Sequence, residues 1–208
     1  MHGKACVSLT FDDGPDPDVT VPLLGLLARY RVKATFFVTG RKAEQYGNLL
    51  SEILRQGHTL GNHSYGHDPF LMFRSSTALD REISDAQAVL RRFGVLPLAF
   101  RPPVGVTNPK LAGVLSRNGM YCLNFSCRAV DFGNRHVAGL SGRILKKVKP
   151  DDIILLHDVQ PPQGMGVETW LHEVELILCG LSDAGLKIIP LADLIGRPVM
   201  ISTKSIGE

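Results

Sequence analysis

Short apolar runs and longer amphipathic stretches alternate along this chain with little between them. Runs at 5–11, 34–40, 58–63, 98–101, 121–126, 152–158 and 187–191 are rich in β-branched, leucine or aromatic residues and predict strands. Between the runs the apolar period lengthens. In 19–31, Leu23, Leu26, Leu27 and Tyr30 recur at i, i+3, i+4 and i+7, and in 79–93, Ile83, Ala86, Val89, Leu90 and Phe93 do nearly the same. Such spacing lays one apolar stripe along a helix for burial against the core. Segments 108–117, 137–148 and 168–184 predict further helices, the first with Pro109 suited to its opening turn. Gly57, Gly94, Gly119 and Gly185 each follow such a stretch, where a left-handed residue ends a helix.

Seven strands alternating with helices pair in parallel through crossover connections, as a doubly wound sheet or a closed barrel. Either architecture gathers ligands at the carboxyl ends of its strands. Polar clusters stand at those ends: Thr10-Phe11-Asp12-Asp13-Gly14-Pro15, His63-Ser64-Tyr65-Gly66-His67, Arg101-Pro102-Pro103, Asp131 and His157-Asp158. A barrel brings them closest together.

Composition narrows the function. The 208 residues are 44% apolar with no low-complexity run, enough for one sizeable core, and predict a single domain spanning 1–208. A net charge of +3, with basic and acidic residues mixed and no Lys/Arg stripe interleaved with aromatics, argues against nucleic acid as a partner. Cys6, Cys122, Cys127 and Cys179 show no CxxC spacing and read as buried thiols. No stretch is long enough to span a bilayer, and Met1-His2-Gly3-Lys4 does not resemble an apolar signal core.

His63 and His67 are four apart, so on one helical turn both imidazoles would face a single divalent ion. Two histidines at this spacing are otherwise ordinary core or surface residues, and a third ligand from Asp12-Asp13 would decide the matter. Adjacent carboxylates at a strand end point apart, so one can bind metal while the other faces the attacking water. The plain alternative for Asp12-Asp13-Gly14-Pro15 is a capped turn. Arg101, held extended by the prolines after it, can pair with a carboxylate base or form a structural ion pair. His157 closes the apolar run Ile153-Ile154-Leu155-Leu156 and suits a general acid, with a carboxylate such as Asp131 tuning its pKa. Asp158 reads as a helix cap or a partner of loop backbone.

Taken together, these residues resemble the motifs of the polysaccharide deacetylases, the NodB homology domain or carbohydrate esterase family 4. The first cluster matches TFDDGP, the second H-[ST]-x-x-H, Arg101-Pro102-Pro103-Val104-Gly105 resembles RPPYG, 126–131 resembles the strand-end aspartate motif, and Ile154-Leu155-Leu156-His157-Asp158 resembles LxxHD. The match runs from about Lys4 to Gly196. The resemblance implies an α/β fold, a distorted (β/α) barrel with about seven parallel strands, and a metal-dependent hydrolase. Asp13, His63 and His67 would hold a divalent metal, most often Zn2+, with Co2+, Mn2+ or Ni2+ as alternatives. Asp12 would be the base, His157 the acid, and Arg101 would orient Asp12. Asp131 would support the ionic network around His157 or Arg101, and the Val104 N–H would belong to the oxyanion hole. The implied substrate is an acetylated carbohydrate, N-acetylated as in chitin oligomers or peptidoglycan, or O-acetylated as in xylan. The resemblance also implies export to an extracytoplasmic site, whereas the cysteines and the lack of a signal fit the cytoplasm.

The sequence departs from the family pattern where Val104 replaces an aromatic, Phe132 replaces a tryptophan, and Asn134 stands where a second aspartate is usual. These positions read as groove walls, which bear on substrate. Two other functions compete: the same fold and metal acting on a small amide, a formylated aminosugar or a lipid-linked sugar, and an inactive carbohydrate-binding domain. The second requires a missing ligand, base or acid, and none is missing. Short loops without insertions favour an open groove for a polymer.

Overall fold

A computed structural model describes residues 5–161 and 166–203. The signal reading at 1–4 lies outside them. In chain order the elements are β1 (Cys6–Asp12), α1 (Pro17–Arg29), β2 (Thr35–Val38), α2 (Gly40–Gln45), α3 (Gly47–Arg55), β3 (Thr59–Asn62) and α4 (Ser76–Arg91). They continue with β4 (Val95–Pro97), β5 (Ala99–Phe100), α5 (Pro109–Arg117), β6 (Tyr121–Cys122), β7 (Cys127–Arg128), α6 (Leu140–Leu145) and β8 (Ile153–His157). Last come α7 (Val167–Asp183), β9 (Lys187–Ile188), α8 (Leu191–Ile195) and β10 (Met200–Ser202).

Seven parallel strands run in the order β6-β5-β3-β2-β1-β8-β7, and β9 pairs in parallel with the start of β1. β10 pairs antiparallel with β4 outside this sheet. The fold is thus the α/β barrel expected, in its curled and distorted form.

The distortion has a local cause. The run at 121–126 predicts one strand, but the chain leaves one edge of the sheet and joins the other. The Leu123 N–H still bonds the Phe100 carbonyl on β5 (2.8 Å), while the Ser126 N–H bonds the Ile153 carbonyl at the start of β8 (3.1 Å). Between them, the carbonyls of Leu123 and Asn124 accept from Arg101 Nε and Nη2, each at 3.2 Å. A guanidinium therefore satisfies backbone groups that no neighbouring strand can reach, which a buried seam requires.

Helix α1 opens after Asp16, whose side chain accepts from the Asp18 N–H, and buries Leu23, Leu24 and Leu27. Burying each leucine contributes roughly 1.5–3 kcal/mol. Tyr30 falls beyond the stripe: it caps the helix, exposed, with its hydroxyl donating to Glu175 Oε1 at 2.8 Å. Under the helices, Phe11 stacks on Phe36 (5.3 Å) and meets the fully buried Trp170 edge-on (6.4 Å). Cys127 is buried, but Cys122 and Cys179 are exposed, contrary to the reading of buried thiols. Among the described residues no helix is long and apolar enough to cross a membrane.

Candidate active site

The carboxyl ends of β1, β3, β5, β7 and β8 bring Asp12, Asp13, His63, His67, Val104, Asp131, Phe132 and His157 to one cleft, with Arg101, Asn134 and Asp158 buried behind it. β1 and β8 are paired in register, so Asp12 and His157 are direct partners on adjacent parallel strands, and the Asp158 N–H bonds the Asp12 carbonyl at 3.1 Å. Register partners project to the same face of a sheet. The cleft encloses about 660 Å³, with Asp12, Asp13, His63, His67 and His157 on its floor.

Asp13 follows β1 in a left-handed conformation (φ 74). Its Oδ1 lies 3.2 Å from His63 Nε2 and 3.0 Å from His67 Nε2. The two histidines do not share a helical turn. They occupy a loop punctuated by left-handed Ser64 (φ 64) and His67 (φ 54), and that loop places the rings 4.9 Å apart. The loop is held from below: Asn62 Oδ1 accepts from the Ser64 N–H (2.9 Å), Ser64 Oγ from the His67 N–H (3.1 Å), and Glu82 Oε2 from the N–H groups of Tyr65 (3.1 Å) and Gly66 (2.7 Å). Glu82, on α4, gives no signal in the sequence beyond an ordinary helical charge.

The triad fits a cation. His63 Nδ1 lies 2.7 Å from the Arg101 carbonyl, and donating to it leaves the Nε2 lone pair aimed at Asp13. Asp13 Oδ1 is buried with no conventional hydrogen-bond donor, so two acceptors face each other across about one ion's width. When the imidazoles carry protons instead, burial of Asp13 still opposes its charge, but donation from His63 and His67 outweighs it and holds the carboxyl well below its ordinary range. Two imidazole nitrogens and one carboxylate also match a site that leaves room for substrate.

Asp12 is almost fully buried, and Arg101 Nη1 donates to its Oδ1 at 2.7 Å. The same nitrogen donates to Thr10 Oγ1 (2.8 Å), and the guanidinium lies 3.9 Å from the Phe37 ring centroid. Asp12 Oδ2 faces the triad, 3.7 Å from His63 Nε2. Across the cleft, His157 Nδ1 lies 2.8 Å from Asp131 Oδ2, so Asp131 belongs to the histidine and not to Arg101. Burial opposes protonation of His157, but the hydrogen bond to Asp131 and the charges of Asp131, Asp13 and Asp12 raise its pKa to about 9. It therefore carries its proton at neutral pH.

Val104 sits at the cleft mouth in a left-handed conformation (φ 54), its side chain 53% exposed. Phe132 is 63% exposed on the opposite loop. Asn134 is no groove wall. It is fully buried, and its Nδ2 donates to the carbonyls of His157 (2.9 Å) and Val159. An aspartate there would set a carboxylate against two carbonyls, so the amide belongs to this chain's way of anchoring the 131–134 loop. Phe125, Arg128 and Arg135 also line the cleft. Nothing in the sequence singles them out, because a phenylalanine in a strand-like run looks like core and isolated arginines look like surface.

Asp158 is completely buried under this floor, where Thr20 Oγ1 donates to its Oδ2 at 2.8 Å. A Cβ at position 14 would come within 2.1 Å of the same oxygen, so only glycine allows this approach. Burial raises the Asp158 pKa to about 8, against the pull of the Thr20 hydrogen bond. The folded state keeps a proton that the unfolded chain loses near pH 4, so this group's contribution to stability falls as pH rises from about 4 to 8. Asp158→Asn removes that titration. Its stability relative to the parent should therefore improve steadily across this window, measured by denaturant unfolding at several pH values; a constant difference would refute the assignment.

The pattern described as polysaccharide deacetylase matches residues 1–123, more than half of the chain. This chain belongs to the polysaccharide deacetylase family. A peptidoglycan-N-acetylglucosamine deacetylase of Bacillus cereus is 30% identical over 196 residues, which cover 93% of this chain and 90% of that protein. A chitooligosaccharide deacetylase of Azorhizobium caulinodans is 32% identical over 163 residues, 77% of each. Of some longer relatives this polysaccharide deacetylase spans only 40%. Among solved structures, a family 4 acetyl xylan esterase of Clostridium thermocellum in complex with a cobalt ion aligns with a TM-score of 0.81 and 30% identity, covering 93% of each chain.

Proposed function

We propose that this chain hydrolyses acetyl groups, N-acetyl before O-acetyl, from an acetylated aminosugar such as a chitin oligomer or a peptidoglycan fragment. The observation that carries the proposal is the register of β1 and β8. It sets Asp12 and His157 side by side, with the Asp13, His63 and His67 cation site next to Asp12. The relatives named for peptidoglycan and chitooligosaccharide deacetylation support this choice of substrate.

Asp13, His63 and His67 would hold a divalent metal, zinc before cobalt, manganese or nickel on the chemistry of two imidazoles and a carboxylate, and the cobalt-bearing relative supports a divalent metal. Bound there, such an ion supplies Lewis acidity toward the amide carbonyl and lowers the pKa of water. The chain's own residues do the rest. Arg101 holds one oxygen of Asp12, so the other is aimed at the incoming water and takes its proton. As the C–O bond forms, the Val104 N–H faces the developing oxyanion. His157, held by Asp131 through Nδ1, then gives the proton on Nε2 to the amine as the C–N bond breaks, leaving acetate and a free amine.

Acetate release from chitin oligomers, peptidoglycan fragments and acetylated xylan tests the proposal. Release from the N-acetylated substrates should exceed that from xylan, and no release from any of them would refute the activity. The acid role has its own test. Because His157 must be protonated, the rate should fall as pH rises past about 9. Asp131→Asn removes the group that raises this pKa, so the alkaline limb should move to lower pH by roughly one to three units. An unmoved limb would show that another group is the acid.

A further inference from the structure

Among the described residues ten large apolar side chains are exposed, and six of them lie on segments that follow the carboxyl ends of β3, β5 and β7: Phe70, Phe73, Val104, Val106, Val130 and Phe132. They belong to three loops around the cleft. Pro69, Val104, Val130 and Phe132 line it directly. The loop bearing Phe70 and Phe73 is tied to the loop bearing Val104 and Val106, because Lys110 Nζ donates to the Arg74 carbonyl (2.8 Å) and Asn108 Nδ2 to the Met72 carbonyl. Scattered exposed apolar residues need no explanation, but a collar of them carried by three loops that border one cleft does.

Three of these side chains are also held in an unfavourable backbone conformation. Val104 (φ 54), Val130 (φ 57) and Phe132 (φ 52) are left-handed, where a β-branched or bulky residue is disfavoured and glycine or asparagine would be easier. Strain and apolar exposure coincide at positions that face the cleft, which points to a ligand as the reason for both. A sugar face stacks on a flat ring, but a valine offers none, and Phe70 (62% exposed) and Phe73 (79%) lie outside the cleft itself. The collar therefore extends beyond the sugar that the catalytic floor would hold.

Beside Val130 and Phe132 stand Arg128 and Arg135, both exposed and lining the cleft. Neither has a carboxylate partner among the described residues, and Arg128 rests over the Phe125 ring at 5.3 Å. Two unpaired guanidinium groups suit a bidentate anion such as phosphate. Resting on the reading of this site as an N-deacetylase, we infer that the natural substrate is an amphiphile: an acetylated aminosugar joined through phosphate to a hydrocarbon chain. The sugar meets Asp12 and His157, the phosphate meets Arg128 and Arg135, and the chain lies on the collar.

Four probes separate these parts: chitotetraose, N-acetylglucosamine 1-phosphate, dodecyl N-acetylglucosaminide, and N-acetylglucosamine 1-(dodecyl phosphate), each kept below its self-association concentration. The zinc-loaded enzyme should show a kcat/KM for the dodecyl phosphate at least roughly tenfold above that for chitotetraose, since burying about two methylenes already gives that factor. The phosphate and the dodecyl glycoside should fall between. In a Phe70→Ser, Phe73→Ser double variant the ratio of dodecyl phosphate to chitotetraose should drop by most of that factor. A ratio of one or less in the parent, or an unchanged ratio in the variant, overturns the inference and leaves the deacetylase reading standing. No acetate from any probe overturns that reading and the inference with it.

Discussion

Asp12→Asn should lower kcat for acetate release by about 10²–10⁴-fold, the range a positioned general base contributes. Asparagine keeps the shape of the side chain and can keep an oxygen on Arg101 Nη1, which lies 2.7 Å from Asp12 Oδ1. What it removes is the proton acceptor on the side that faces the triad. Asp13, His63 and His67 are untouched, so zinc titrated into the variant should bind as it does to the parent. Steady-state kinetics and a calorimetric titration on the same preparation separate the two effects. Near-parental turnover would mean that another group takes the proton.

Replacing Arg101 by leucine should have the largest effect on folding. The guanidinium is fully buried and answers Asp12, Thr10 Oγ1 and the carbonyls of Leu123 and Asn124. Leucine leaves the nearly buried Asp12 carboxylate without its cation and the seam carbonyls without donors. Breaking a buried pair in this way costs about 3–5 kcal/mol. Lysine should rescue little, because one ammonium cannot reach partners that a planar fork spans. Equilibrium unfolding in urea measures the loss, and a change below about 1 kcal/mol, no more than a surface pair contributes, would contradict the structural role.

Much of this arrangement is legible in the sequence. The alternation of apolar runs and amphipathic helices gave the parallel α/β fold because period depends on local geometry that each segment carries alone. The clusters at strand ends were legible for the same reason. Other features depend on contacts between distant residues. The break between β6 and β7 is held by Arg101, which donates to the Leu123 and Asn124 carbonyls, a partner that nothing in 121–126 announces. The helical turn expected for His63 and His67 gave way to a loop whose shape is set by Asn62, Ser64 and the distant Glu82. β4 and β10 were missed because three-residue strands show no period and pair across about a hundred positions. Asn134 looked like a change of groove wall and is instead a clamp on β8, a role that depends on carbonyls 23 and 25 residues away.

The central claim is that one divalent ion, held by Asp13, His63 and His67, serves the chemistry of Asp12 and His157. The most direct measurement is acetate release from N-acetylated chitin oligomers by chelator-treated protein during titration with zinc, repeated for Asp13→Ala. The parent should be inactive without metal and regain full turnover at one equivalent, with a matching rise in melting temperature, while Asp13→Ala should neither bind zinc tightly nor recover. Full activity in the chelated parent, or stoichiometric recovery in Asp13→Ala, would contradict the account.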